Sequence, residues 1–180
     1  EIGVYRKYLT VDTYPPGPLK LSDVQLAWKV TEGVTQGKFS KSGLQIVPMP
    51  TRHYKQAQPV YVYYEIYNLR RDEFGTTNYT VEYIIRSWEP PGVISRIFRA
   101  FKGRRAEEEI SVAQEQLGTK EAEASYIELD LSETLPGKTV LNVTVKDLNS
   151  GETTTRETKF TIEDEEELLA KGDKEKNKKE

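Results

Sequence analysis

His53 is the single imidazole in the 180-residue chain. A Ser–His–Asp relay would have to run through it. It stands in the polar stretch Pro50-Thr51-Arg52-His53-Tyr54, and no G-x-S-x-G elbow is present to offer a serine. The chain has no cysteine, which removes thiolate nucleophiles, disulfide staples and thiolate metal sites. One histidine also excludes a multi-histidine metal centre within one chain. Neither of the glycine-rich phosphate loops, G-x-x-x-x-G-K-[ST] or G-x-G-x-x-G, occurs. Asp147-x-Asn149-x-Gly151 starts like a calcium loop but lacks the further acids and the closing glutamate, so a hairpin turn is expected. Paired carboxylates could do acid–base work if held apart in a cleft. Glu107–Glu109 and Glu163–Glu167 are runs, however, and runs read as solvated faces. Glu65 stands alone on a strand and is expected to pair across a hairpin with Glu82 or Arg86, depending on register. These residues predict no catalytic site, metal or cofactor, and a chain that is not an enzyme.

Two other groups of residues point to binding. Tyr61, Tyr63 and Tyr67 fall on one face of the stretch Val60–Asn68, with Val60, Val62, Tyr64 and Ile66 on the other. The aliphatic face is the better core candidate, which leaves the tyrosines exposed or covered by a neighbouring element. Exposed tyrosines suit protein interfaces and sugar stacking alike, because each ring is apolar with a polar tip. The second group follows Pro90-Pro91-Gly92. Val93, Ile94, Ile97, Phe98 and Phe101 lie at helical spacing, with Arg96, Arg99, Lys102, Arg104 and Arg105 interspersed and no acid among them. This segment reads as a short docking helix or as a loop capping the sandwich. It is too short to cross a bilayer, and contact with a membrane surface is the weaker reading.

Period-two alternation dominates the rest of the chain. Val24, Leu26, Trp28 and Val30 alternate with polar residues, predicting a half-buried strand. Phe39–Val47 reads as a strand pair or a bent strand around Lys41-Ser42-Gly43, stopped at Pro48-Met49-Pro50. Val60–Asn68 is the strongest strand, and its spacing predicts a hairpin with Asn78–Trp88. Ile110–Leu117, Ile127–Leu131, Leu141–Val145 and Thr158–Ile162 continue the pattern, with turns at Leu135-Pro136-Gly137-Lys138 and Asp147–Gly151. Eight or nine strands and one helical segment predict an all-β fold: an antiparallel two-sheet sandwich of Ig-like character, with a barrel as the alternative. From Glu163 onward, thirteen of eighteen residues are charged, too many to bury a core. The domain is therefore placed at residues 1–163 and a charged tail, disordered or partly helical, at 164–180. The chain opens on a strand-like stretch, Ile2–Val11, without a signal-peptide pattern, and reads as a mature, processed or fragmentary chain. Its net charge is −3, which argues against a nucleic-acid partner.

Leu21–Ala27 (LSDVQLA), Gly43–Tyr54 (GLQIVPMPTRHY), Pro59–Leu69 (PVYVYYEIYNL) and Leu135–Ile162 (LPGKTVLNVTVKDLNSGETTTRETKFTI) resemble, in order, one bacterial family. It is the C-terminal β-sandwich region of GWxTD-domain proteins. The likeness covers roughly residues 1–163, but the GWxTD motif itself is absent. The resemblance implies an exported protein of the cell envelope or exterior and carries over no catalytic residue. The expectation is a non-enzymatic module for protein–protein contact, self-assembly or envelope assembly. A carbohydrate-binding module using the tyrosine row is the alternative.

Overall fold

The computed structural model describes residues 13–88 and 109–163, apart from 133 and 135, together with Arg6 and Tyr8. The predicted strand Ile2–Val11, the segment after Pro90 and the charged tail lie outside the described residues. Every regular element described is a β-strand. In chain order these are β1 (Lys20–Leu21), β2 (Gln25–Glu32), β3 (Ser40–Lys41), β4 (Leu44–Pro48), β5 (His53–Lys55), β6 (Val60–Tyr67), β7 (Thr77–Ser87), β8 (Glu109–Gly118), β9 (Ala122–Leu129), β10 (Gly137–Asp147) and β11 (Thr153–Glu163).

The strands form two sheets. In the first, β6 is central: β1 and β2 share one of its edges, β9 takes the other, and β4 and then β3 extend the sheet beyond β2. Leu21 pairs with Ile66 and Gln25 with Tyr63, so β1 and β2 are halves of one strand with one extra residue between them. Ser22 fills that bulge. Its N–H donates to the Glu65 carbonyl at 2.8 Å and its Oγ accepts from the Glu65 N–H at 2.9 Å. Such a bulge kinks a strand without orphaning its backbone groups. The second sheet runs β5-β11-β10-β7-β8. It is mixed, because β5 pairs parallel to β11 (His53 with Thr161, Tyr54 with Ile162).

The sheets press their apolar faces together. Val60, Val62, Tyr64 and Ile66 of β6 meet Tyr79, Val81, Tyr83 and Ile85 of β7 and Leu141, Val143 and Val145 of β10 in one buried cluster. Full burial of each aliphatic chain contributes roughly 1.5–3 kcal/mol. The aliphatic face of β6 thus meets the core as its sequence indicates. At Ser42-Gly43, consecutive positive φ values of 53° and 79° join β3 to β4. Both central residues of a type I′ two-residue hairpin require that conformation.

Three expectations are corrected. Val60–Asn68 does not form a hairpin with Asn78–Trp88, because β6 and β7 belong to different sheets. The nine residues between them carry the chain across the sandwich, and Asp72 orders this crossing by accepting the N–H groups of Phe74 (2.9 Å) and Thr76 (2.8 Å). Trp28 does not continue the buried face of β2. A register shift between Ala27 and Lys29 turns its ring outward, 53% exposed, while Leu26 stays buried. The sandwich is also not antiparallel throughout, because β5 enters beside β11 from the other sheet.

Candidate functional site

The tyrosine row lies on the outer face of the first sheet. Tyr63 is 2% exposed, and Tyr61 and Tyr67 are half-buried. Tyr63 clusters with Ala27 and Ile46, and Tyr61, Tyr126, Leu44 and Val30 pack against them. Tyr14 stacks on Tyr67 at 4.3 Å between centroids. Sandwich packing alone does not account for this second small core. It forms because β4 and the bulge in β2 turn apolar side chains onto the outer face.

Glu65 sits within this row, not across from Glu82 or Arg86, since β7 is not its neighbour. Its carboxylate accepts from the Tyr63 and Tyr67 hydroxyls and pairs with Lys41 Nζ at 3.0 Å. Burial alone would raise this carboxyl. The hydrogen bonds from Tyr63, Tyr67 and Lys41, with the lysine's charge, outweigh burial and hold it below the ordinary carboxylate range. The cluster pins the β3–β4 arm to β6.

The other candidates do not converge. His53 is on β5, with Nδ1 2.9 Å from Glu163 Oε1. Asp147 is fully buried and serves the hairpin after β10, at the far end of β10–β11 from His53 in register. Among the described residues, no three histidines or acids gather to hold a metal. Ile94, Arg96, Ile97, Phe98, Arg99 and Phe101 lie outside the described residues.

What the sequence reading passed over is an edge. β8 pairs with β7 without a break, from Thr77–Gly118 to Arg86–Glu109. Its Ile110, Val112, Gln114 and Gln116 continue the face on which β7 presents Ile85, Tyr83, Val81 and Tyr79. The β7 side chains are buried, whereas β8 is exposed on both faces from Ser111 to Leu117. Cover from the first sheet therefore ends between β7 and β8. Among the described residues, no strand pairs with the outer edge of β8, nor with the edge of β9 away from β6.

Among the described residues, two consecutive strands, one in each sheet, thus end their sheets on open backbone, with Val112 37% and Leu117 72% exposed. The crossing between them starts at Gly118. A Cβ there would stand 2.9 Å from Thr77 Oγ1 and Glu123 Oε1, so the tight passage suits glycine. Natural edges are usually shortened, bulged or broken by proline. β8 has ten residues, no proline and an unshifted ladder. A signal for this was present in its sequence: the inward positions change from Ile110 and Val112 to Gln114 and Gln116, as suits a face with nothing opposite it.

No family model matches the chain, and no curated protein matches its sequence.

Proposed function

We propose that the chain is a non-enzymatic β-sandwich module of an exported bacterial protein, acting by protein–protein contact at the open β8/β9 edges. The observation that carries this is β8: a long, regular strand exposed on both faces from Ser111 to Leu117, whose outer edge, like that of β9, has no partner among the described residues. A partner strand added there gains main-chain hydrogen bonds and covers Val112. The resemblance of Leu21–Ala27 and Pro59–Leu69 to GWxTD-domain proteins supports export. An Ig-like reading is supported by strand order: β11-β10-β7-β8 takes the order of strands G, F, C and C′, and β2-β6-β9 that of A, B and E.

The test combines light scattering of the chain alone with cross-linking to fractionated envelope protein. Val112→Lys combined with Leu117→Lys, at exposed positions, is expected to abolish the resulting complex or self-association while leaving thermal unfolding nearly unchanged. A strict monomer with no cross-linked partner would count against the proposal. So would association that survives both lysines.

A further inference from the structure

Hydrogen bonds on the far side of β7 decide which main-chain groups of β8 point away from the sheet. The Asn78 carbonyl accepts from the Leu148 N–H at 2.8 Å, and the Trp88 N–H donates to the Lys138 carbonyl at 2.8 Å, so the even-numbered residues of β7 face β10. In an antiparallel ladder a residue turns its N–H and C=O to the same side, and successive residues alternate. Tyr79, Val81, Tyr83 and Ile85 therefore face β8, where their register partners are Gln116, Gln114, Val112 and Ile110. Glu109, Ser111, Ala113, Glu115 and Leu117 are left with both groups directed at the outer edge, where no strand pairs among the described residues.

The pattern of this edge suits its own copy. Glu109 and Glu115 are the only charges on β8, and no lysine, proline or register shift blocks the approach of another strand. A two-fold axis at Glu115 would set that residue against its copy, and one at Val112 would set Glu109 against Glu115. Like charges directly opposite are destabilising. An axis at Ala113 avoids both. It sets Ala113 opposite Ala113, Ser111 opposite Glu115 and Glu109 opposite Leu117, so every open residue meets an open residue, and each such pair exchanges two main-chain bonds. Val112, 37% exposed in the single chain, then faces Gln114 and meets its own copy on the diagonal across the axis. An axis at Gln114 would leave Glu109 unpaired and move the two valines apart.

We propose that β8 pairs with β8 of a second copy of this chain, antiparallel about a two-fold axis at Ala113, joining two five-stranded sheets into one. The inference rests on the reading of β8 as a contact edge and names its partner. One strand from each chain makes a small interface, so the pair is reversible and dilution returns the monomer.

The chain has no cysteine, so a single introduced thiol reports one position. Ala113→Cys is expected to be coupled into a covalent dimer by a short bismaleimide, because residues of a hydrogen-bonded pair lie about 5.5 Å apart. Leu117→Cys is expected to stay uncoupled. Each copy there faces Glu109, which puts the two thiols about 27 Å apart, some eight residues at about 3.4 Å each. Sedimentation velocity over a concentration series should show a monomer–dimer equilibrium. Ala113→Pro removes an N–H that β7 does not use, at a place where an edge strand tolerates proline. It should weaken the dimer at least tenfold and leave the thermal midpoint nearly unchanged. Ala113→Lys, which opposes two ammonium groups at the axis without altering the backbone, should weaken it as much, and it decides alone if the proline lowers the midpoint. A chain that stays monomeric while envelope protein still cross-links to β8 would overturn this inference and leave the contact reading standing. A monomer that cross-links to nothing would remove both. A dimer that survives Ala113→Lys, or equal coupling through Leu117→Cys, would overturn the two-fold pairing.

Discussion

Between pH 10 and 12 the chain should unfold in one cooperative step, with tyrosinate absorbance and loss of circular dichroism rising together. Tyr54, Tyr64, Tyr79 and Tyr83 lie in the main core. Burial pushes Tyr79 up to about 12, helped by the charge of Glu123. Burial likewise raises Tyr54, Tyr64 and Tyr83, the last also through its contact with Tyr64. Tyr64 and Tyr83 share a hydroxyl–hydroxyl hydrogen bond in the core, which neither can keep unchanged as an anion.

The sign follows from linkage. A folded-state value raised above the unfolded value of 10 stabilises the fold fully below pH 10, and that contribution is lost as pH rises toward the folded value. A group held two units up loses about 2 kcal/mol by the time pH reaches its folded value. Burial raises all four rings, so their losses act in the same direction against the roughly 5–15 kcal/mol that holds a domain of this size. Titration of these four core rings one by one with the dichroism intact would show that they are reached by solvent and that the two sheets are not packed as described.

Asp147→Ala should cost about 3 kcal/mol in chemical denaturation, from unsatisfied backbone donors rather than lost packing. The Asp147 carboxylate accepts N–H groups from Arg70 at 2.7 Å, Asn149 at 2.9 Å and Ser150 at 3.3 Å. Its main chain closes the same hairpin: its N–H donates to Glu152 O at 2.9 Å, and its carbonyl accepts from Gly151 N–H at 2.8 Å. Asn149 Nδ2 then donates to the carbonyls of Arg70 (2.8 Å) and Thr76 (2.9 Å), tying the hairpin to the crossing between the sheets. Alanine leaves three donors without their acceptor in a partly buried corner. Asn149→Ala, which removes two bonds at an exposed position, should cost less. A loss below about 1 kcal/mol for Asp147→Ala would mean that water replaces the carboxylate freely.

The features that could be read from sequence were those set by one strand alone. β6 alternates strongly enough that its core face follows from residue type, whereas Lys41-Ser42-Gly43 left a strand pair and a bent strand both open, because serine does not announce the positive φ it adopts. Which strand lies beside which depends on residues far apart in sequence. Nothing in Asn68–Thr76 distinguishes a hairpin loop from a crossing, so β6 and β7 read as partners although each pairs elsewhere. The parallel pairing of β5 with β11 leaves no local pattern at all. Trp28 has the spacing of a core residue and loses that place to a bulge. Glu65 could be recognised as an acid among tyrosines, but its real partner, Lys41, comes from a hairpin two strands away across the sheet. The open edge left only a faint trace, the change of the inward positions of β8 from Ile110 and Val112 to Gln114 and Gln116, which gains its meaning once the opposite sheet is found to stop short.

Residue-resolved amide hydrogen exchange on the isolated chain tests the central claim most directly. The account predicts slow exchange through β6, β7 and β10, and a comb in β8: amides bonded to β7 slow, and the alternate amides that point away from it fast. Uniform slow exchange from Glu109 to Gly118 in a monomeric sample would contradict it, since every donor on that strand would then already have a partner.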